Sequence, residues 1–446
     1  MSVPATQEKA SAPSGLRRVV GVPGAVLMGL GSILGTGIFV SIGIAAGVTG
    51  PSVILAVAVA AVVATFNGLS SAQLAASHPV SGGTYEYGYR YLSPTLGFTA
   101  GWMFLCAKSA SAATAALGFA GYVLVAVGAS AAAYRVALAL VAVALLTAVV
   151  AGGMSRSNRA NTVIVLLTLV ALLGFVGFGL PTALAGAGAN LEDFFGGNGQ
   201  DSGASGFLHA TALMFVAYTG YGRIATLGEE VRDPHESIPR AIIVTLACTA
   251  VIYAAVAFVA VASVGAGGLA DATQQAAAPL EVIARGFNMP AVAWLVAAGA
   301  VTAMLGVLLN LLLGLSRVVL AMARRRDMPS RFARVDDQRS SPISAVLLVG
   351  AIIAGLAAIG SVKTTWSFSA FTVLIYYALT NLAALRLPPE ARLYPRWIPV
   401  MGLVCCLGLA FWVEPQIWAS GLVLIAAGLV WHGVARQLAE RNPTLD

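Results

Sequence analysis

Long apolar runs separated by clusters of charged residues are the feature that most limits how this chain can fold. Hydrophobic residues make up 59% of its 446 residues and charged residues only 10%, whereas a soluble domain carries about 25% charged residues. The chain is therefore predicted to be an all-α integral membrane protein, since each run is close to or above the ~17–25 residues that a helix needs to cross the hydrocarbon. Twelve spans are predicted, at residues 19–48, 51–75, 96–128, 134–151, 160–180, 206–228, 239–264, 290–322, 342–360, 365–386, 397–413 and 417–435.

The distribution of Lys and Arg gives the predicted orientation, because cytoplasmic loops carry an excess of both residues. With both termini inside, the cytoplasmic side holds all the basic residues except Arg135, Arg285 and Lys363, which lie outside, and Lys108, which lies within a span. This predicts a multi-pass protein of the cell (inner) membrane in contact with membrane lipids. The net charge of +7 then originates in cytoplasmic loops, and no basic folded domain indicates a nucleic-acid partner.

A single transmembrane domain at 19–436 is predicted, with cytoplasmic tails at 1–18 and 437–446. An interfacial helix is expected within 76–95, with its tyrosines at headgroup depth, and the segment 265–289 is expected outside the membrane. The four cysteines fall inside spans, at spacings that fit neither a metal site nor a disulfide framework. No cofactor or metal is expected, and no nucleophile–base pair indicates an enzyme.

Glycines interrupt the first and the sixth predicted span, at residues 29–37 and 220–222. A broken helix leaves backbone groups without a partner, and lipid tolerates such a break only where it lines a cavity or binds something. A corresponding pair of interrupted segments points to the midplane binding site of a transporter. Each break begins a set of five spans, and five is odd, so the two sets form an inverted repeat to which the last two spans are added. The alternative for the first cluster is a helix-packing motif, Gly31-x-x-x-Gly35.

Four groups of motifs occur in order along the chain. They are Gly-Ser-Ile-Leu-Gly-Thr-Gly-Ile-Phe (31–39); Ser-Gly-Gly-Thr-Tyr (81–85) with Gly-Phe-Thr-Ala-Gly-Trp (97–102); Ala-Tyr-Thr-Gly-Tyr (217–221) with Glu-Glu-Val-Arg-Asp-Pro (229–234) and Ile-Pro-Arg-Ala (238–241); and Leu-Ser-Arg (315–317) with Asp-Met-Pro (327–329). Together they resemble the signatures of the amino acid–polyamine–organocation superfamily, over about residues 15–435. The resemblance implies a 5+5 inverted repeat (LeuT-like fold) with discontinuous helices 1 and 6, and transport of amino acids or related amines.

The two breaks offer complementary chemistry to an amino acid. The outer half-helix of the first span begins around 36–38, so its free amides and positive dipole end suit a carboxylate, with the hydroxyls of Ser32 and Thr36 nearby. Carbonyls near 215–218 in the second break suit an ammonium, and Tyr218 and Tyr221 could wall the side-chain pocket. The candidate substrate-binding residues are Ser32, Ile33, Leu34, Gly35, Thr36, Gly37, Phe215, Ala217, Tyr218, Gly220 and Tyr221.

Lys108 is the candidate ion-coupling residue. It follows Gly97 by 11 residues, which places it about 16 Å into the third span at 1.5 Å per residue, near the bilayer midplane. An ionisable residue at that depth indicates function, and burial penalises its charged form, so it could exchange a proton. The alternative is a lysine held by carbonyls for structural reasons.

Proton-coupled members of the superfamily often carry a lysine on the fifth helix, and this chain departs from them. Its fifth span has no lysine, and Thr168 or Leu167 falls near that position. Either Lys108 has taken over the role, or the Thr168 hydroxyl helps to bind sodium. The eighth span offers mainly Thr302 and Asn310 as oxygen ligands, which favours protons over sodium.

A charged cluster ends the sixth span on the cytoplasmic side. Glu229 and Glu230 either fix the loop or form an inner gate with Arg17, Arg18 or Arg240, and Arg223 lies deeper and could reach the inner vestibule. The sequence therefore predicts a proton-coupled secondary active transporter of amino acids that works by alternating access. The alternatives are an exchanger of amino acids or polyamines, and a sensor that binds an amino acid without transporting it.

Overall fold

The structure is a computed structural model that describes residues 20–78, 82–129, 132–153, 158–195, 203–225, 231–336 and 341–441. Within these ranges the chain is helical, and its extended pairings are two isolated bridges, Val20 with Val231 and Asp336 with Ser341. A π-helical turn, Gly37–Ser41, leads into the second helix. The helices are α1 (Val22–Ile33), α2 (Ile42–Thr49), α3 (Val53–Ser77), α4 (Thr84–Tyr91), α5 (Pro94–Ala126), α6 (Ala132–Ala151), α7 (Asn158–Asn190), α8 (Ala204–Tyr218), α9 (Gly222–Ala225), α10 (Pro234–Ala276), α11 (Pro279–Ala284), α12 (Pro290–Arg324), α13 (Ile343–Ala357), α14 (Val362–Leu385), α15 (Trp397–Ala410) and α16 (Pro415–Arg441).

Eight helical stretches of the described residues are long and apolar enough to cross a membrane. Three shorter helices, α1, α13 and α15, are also apolar. Every one of the twelve predicted runs contains a helix. The chain is thus an integral, multi-pass membrane protein. The eight stretches are Gly37–Ser77, Pro94–Ala126, Ala133–Ala151, Arg159–Asn190, Pro234–Ala276, Pro290–Arg324, Val362–Leu385 and Pro415–Gln437.

Helix α10 extends past its predicted span, through part of the segment expected to be an external loop. It bends at Gly265, whose φ of 73° lies in the region that glycine adopts without strain. The bend frees the carbonyl of Ala262, and the amide Nδ2 of Asn190 at the end of α7 donates to it at 2.8 Å. The bend is therefore stabilised by the extension of α7 beyond its own predicted end at 180.

Two of the tyrosines of α4 contact a carboxylate within the protein. Tyr85 and Tyr89 donate hydrogen bonds to the carboxylate of Asp327, at 2.8 and 2.6 Å. His432 of α16 lies 3.1 Å from the same carboxylate. Burial, together with the charge and hydrogen bond of Asp327, raises the pKa of the Tyr85 hydroxyl. This buried polar cluster joins α4, the end of α12 and α16.

A second charged cluster lies between α8 and the start of α16. The carboxylate of Glu414 is 3.3 Å from His209 and 3.3 Å from Lys363. Burial favours a higher pKa for Glu414, but the hydrogen bond and charge of His209 and the charge of Lys363 outweigh it and lower the pKa to about 2. The carboxylate therefore stabilises the fold when it is ionised.

We expect the stability of the purified protein to depend on Glu414 under acid conditions. Its pKa is lower in the folded chain than its ordinary value of 4.5, so its contribution is present above pH 4.5 and is lost as the pH falls towards 2. Intrinsic tryptophan fluorescence should show the unfolding temperature falling across this window, and falling less in Glu414→Gln. Equal pH dependence in both proteins would contradict this assignment.

Candidate functional site

The first interruption leaves three backbone amides open. Helix α1 ends at Ile33, and the amide of Leu34 still donates to the carbonyl of Leu30 at 2.8 Å. The carbonyl of Gly35 accepts from the first amides of the outer helix, those at 38 and 39. Among the described residues, no backbone carbonyl accepts from the amides of Gly35, Thr36 and Gly37. The amides available to an anion are therefore these three, at the positive end of the outer helix.

The second interruption is tighter than the sequence indicates. Helix α8 continues into a single 3-10 turn, Thr219–Tyr221, before α9. Its carbonyls already accept from side-chain hydroxyls: Val216 from Thr219 at 2.7 Å, Ala217 from Tyr253 at 3.3 Å, and Thr219 from Tyr377 at 3.3 Å. The acceptors predicted for an ammonium are thus partly occupied.

The two interruptions lie against each other. The hydroxyl of Tyr253 on α10 contacts the carbonyls of Ile33, at 2.9 Å, and of Ala217. A Cβ on Gly220 would lie 2.4 Å from the carbonyl oxygen of Ser32, and one on Gly37 would lie 2.6 Å from the Cβ of Ala217. Only glycine at these two positions permits such a close approach of the two backbones.

Two other glycines of the first cluster serve helix packing. A Cβ on Gly31 would lie 2.3 Å from Oδ1 of Asn161, and one on Gly35 would lie 2.6 Å from Cγ2 of Val307. Gly31 and Gly35 therefore act as a helix-packing motif, the alternative considered from the sequence. The helix is also interrupted at this place, so the two interpretations do not exclude each other.

A cavity of about 50 Å³ lies where the two interruptions meet. Seven of the residues singled out from the sequence line it. Its lining consists of Ser32, Ile33, Thr36, Gly37, Lys108, Ser111, Val216, Ala217, Thr219, Gly220, Val307, Leu311 and Trp366.

Lys108 lies in the wall of this cavity. Its Nζ donates to the hydroxyl of Thr219 at 2.8 Å, so α5 is joined directly to the second interruption. One turn further along α5, the hydroxyl of Ser111 lies 2.7 Å from that of Ser369 on α14. Of the lining residues, all within the described ranges, Lys108 alone carries an ionisable side chain.

Several predicted site residues lie away from the cavity. The hydroxyl of Tyr218 donates to the carbonyl of Val57 at 3.1 Å. The rings of Phe215 and Tyr221 pack on Tyr377, at 5.6 and 5.5 Å between centroids. These three residues do not line the cavity, and neither do Leu34 and Gly35. They pack around it.

Residues proposed for sodium binding and gating are also outside the cavity. The hydroxyl of Thr168 donates to the carbonyl of Ile164 on its own helix at 2.8 Å. Arg223 lies on α9 with an exposed side chain. Arg240 forms an exposed ion pair with Glu236 at 3.3 Å. The carboxylates at 229 and 230, and the arginines at 17 and 18, lie outside the described residues.

Sequence reasoning missed the cavity residues that come from α12 and α14. Val307 and Leu311 are four residues apart on α12, the spacing of one helix face, but the apolar sequence there gives no signal that separates them from other core residues. Trp366 on α14 donates from Nε1 to the carbonyl of Leu213 at 3.0 Å. Thr219 was also missed. It lies within the second interruption, and a hydroxyl at that place could have indicated a site residue.

Comparison with known proteins identifies the family of this chain. The chain matches the amino acid permease family over residues 24–435, nearly its whole length. This chain belongs to the amino acid permease family. The superfamily indicated by the sequence motifs is thereby confirmed.

The permease is similar over most of its length to proteins named as transporters. It is 42% identical to an uncharacterized transporter of Mycobacterium tuberculosis, over 97% of this chain and 95% of the relative. It is 27% identical to a branched-chain amino acid permease of Bacillus subtilis, over 95% and 93% of the two chains. It is 28% identical to human cationic amino acid transporter 4, over 85% of this chain and 61% of the relative.

Proposed function

We propose that this permease is a secondary active transporter of amino acids that works by alternating access and is coupled to protons. The observation that carries the proposal is the cavity that both helix interruptions line, with open donors on one side. The family and the transporter names of its relatives support transport of amino acids or related substrates.

The proposed architecture has twelve transmembrane helices in a 5+5 inverted repeat of the LeuT type. The domain spans 19–436, with cytoplasmic tails at 1–18 and 437–446, in the cell membrane. Helix in every predicted run supports this count. The position of the two interruptions, on the first helix of each half, supports the repeat.

The proposed substrate pose uses the two interruptions differently. The carboxylate binds the open amides of Thr36 and Gly37 and the hydroxyl of Thr36, with Ser32 beside them. The ammonium approaches those carbonyls of 215–218 that keep a free lone pair, since a carbonyl oxygen can accept twice. Closing around the substrate requires α1 and α8 to bend at the interruptions while α5 and α12 stay in place.

Lys108 is the proposed proton carrier. Its hydrogen bond to Thr219 links its protonation state to a helix that has to move. A charged lysine donates a hydrogen bond to Thr219 or to the substrate. A neutral lysine binds either partner more weakly. Glu229, Glu230 and Arg223 are proposed to form the inner gate, at the cytoplasmic end of the same broken helix.

Uptake into proteoliposomes tests this function. A thermal-shift screen of the purified protein first identifies a bound amino acid. We then expect uptake of that amino acid into empty vesicles when the outside is acidic, and its loss on adding a protonophore. Uptake that requires preloaded vesicles would indicate an exchanger, dependence on a sodium gradient would indicate sodium coupling, and binding without uptake would indicate a sensor.

A further inference from the structure

The cavity presents more open hydrogen-bond donors than open acceptors. The amides of Thr36 and Gly37, which both line the cavity, have no backbone partner within the described residues. The hydroxyl of Thr36 lines the cavity, is 4% exposed, and has no partner there either. The carbonyls of Val216, Ala217 and Thr219, in contrast, each accept a hydroxyl already. A ligand that matches this wall brings more acceptors than donors, as carboxylates do.

The charge of the cavity has the same sign as this donor excess. Its positive features are the start of the outer helix and the amine of Lys108, and no acidic side chain is among the lining residues. Within the described residues, Nζ of Lys108 bonds only to a neutral hydroxyl, that of Thr219. An ammonium ion in a poorly hydrated cavity is costly without a counter-charge.

A zwitterionic amino acid that carries only one carboxylate leaves this arrangement incomplete. Its carboxylate can satisfy the helix start or Lys108, and its ammonium adds a third positive group near the lysine. A substrate with two carboxylates supplies one for each positive feature. The small volume of the cavity, about 50 Å³, requires the two carboxylates to be joined by a short carbon chain.

We propose that the permease selects acidic amino acids, and that Lys108 binds the side-chain carboxylate while the first interruption binds the main-chain carboxylate. This inference rests on the proposed amino acid transport. Lys108 thus determines specificity among amino acids. A charge-assisted hydrogen bond of this kind changes affinity by about ten- to hundred-fold.

Binding of aspartate and of its neutral amide, asparagine, to the purified full chain tests the inference. In the unaltered protein, aspartate should bind at least about ten-fold more tightly than asparagine. In Lys108→Gln the aspartate affinity should fall by about the same factor while the asparagine affinity changes little, which also shows that the variant is folded. Lys108→Arg should keep a preference for aspartate, because it keeps the charge.

The matched control is Lys363→Gln, the same change at an external lysine that is half exposed and away from the cavity. It should leave both affinities unchanged. Tighter binding of asparagine than aspartate by the unaltered protein would overturn the inference and leave amino acid transport standing. An equal loss of both affinities in Lys108→Gln would also overturn it, since it would assign Lys108 a structural role. Binding of succinate but of no amino acid would support the role of Lys108 and overturn the amino acid assignment.

Discussion

Replacing Gly220 with alanine is expected to abolish transport by this permease. The added Cβ would lie 2.4 Å from the carbonyl oxygen of Ser32 and 2.5 Å from its carbon, closer than real Cβ atoms approach. Both obstacles are backbone atoms, so no side chain can rotate away. The two interrupted helices would have to separate, which would distort the cavity between them. Uptake of the identified substrate into proteoliposomes should fall to background, and the fold should lose about 1–3 kcal/mol of stability from overpacking.

Gly314→Ala provides the matched control for this experiment. Gly314 lies within α12, and a Cβ there would meet no heavy atom within 4 Å. The same substitution at this position should leave uptake and unfolding temperature close to those of the unaltered protein. Unaltered uptake by Gly220→Ala would mean that close contact of the two interruptions is not required for transport.

Removing the amine of Lys108 is expected to abolish uptake driven by a pH gradient while leaving some substrate binding. Lys108→Ala deletes the one ionisable side chain of the cavity lining and its bond to Thr219, so no group there remains to carry a proton between the two sides. The measurement is uptake with and without an imposed pH gradient, using an amino acid that the variant still binds. A gradient should accelerate uptake by the unaltered protein only.

Lys363→Ala is the control for loss of a lysine as such. Its ion pair with Glu414 is half exposed on the lysine side, and exposed pairs contribute little to stability. It should respond to the gradient like the unaltered protein. Undiminished gradient-driven uptake by Lys108→Ala would rule out the lysine as the proton carrier.

The positions of the helices could be predicted because lipid imposes a minimum apolar length, and the ends of the helices could not. Hydropathy marks where an apolar run ends, whereas α7 and α10 continue as helix beyond their predicted spans. What keeps α10 together past its bend at Gly265 is the amide of Asn190, 72 residues away from the carbonyl that it binds. The inward position of Tyr85 likewise depends on Asp327, 242 residues distant.

The candidate site was likewise predictable only in part. The glycine pattern predicted the two interruptions, since the need for close backbone approach is written in the sequence at Gly37 and Gly220. The tyrosines that were expected to wall the pocket turn instead towards distant partners, Tyr218 to Val57 and Tyr221 to Tyr377. Whether such a tyrosine lines the pocket or contacts a distant residue depends on how several helices are rotated relative to one another. The periodicity of a uniformly apolar helix does not give that rotation.

The hydroxyl of Tyr253 has one hydrogen and lies within reach of two carbonyls, at 2.9 Å from Ile33 and 3.3 Å from Ala217. In the alternating-access movement proposed above, it can therefore pass its hydrogen from one broken helix to the other without losing both acceptors. An unpaired buried hydroxyl would add to the barrier of the movement. The hydrogen bond of Tyr253 thus does not have to hold the two helices in one position. Because it can change acceptor, it adds little to the free-energy barrier of the proposed movement.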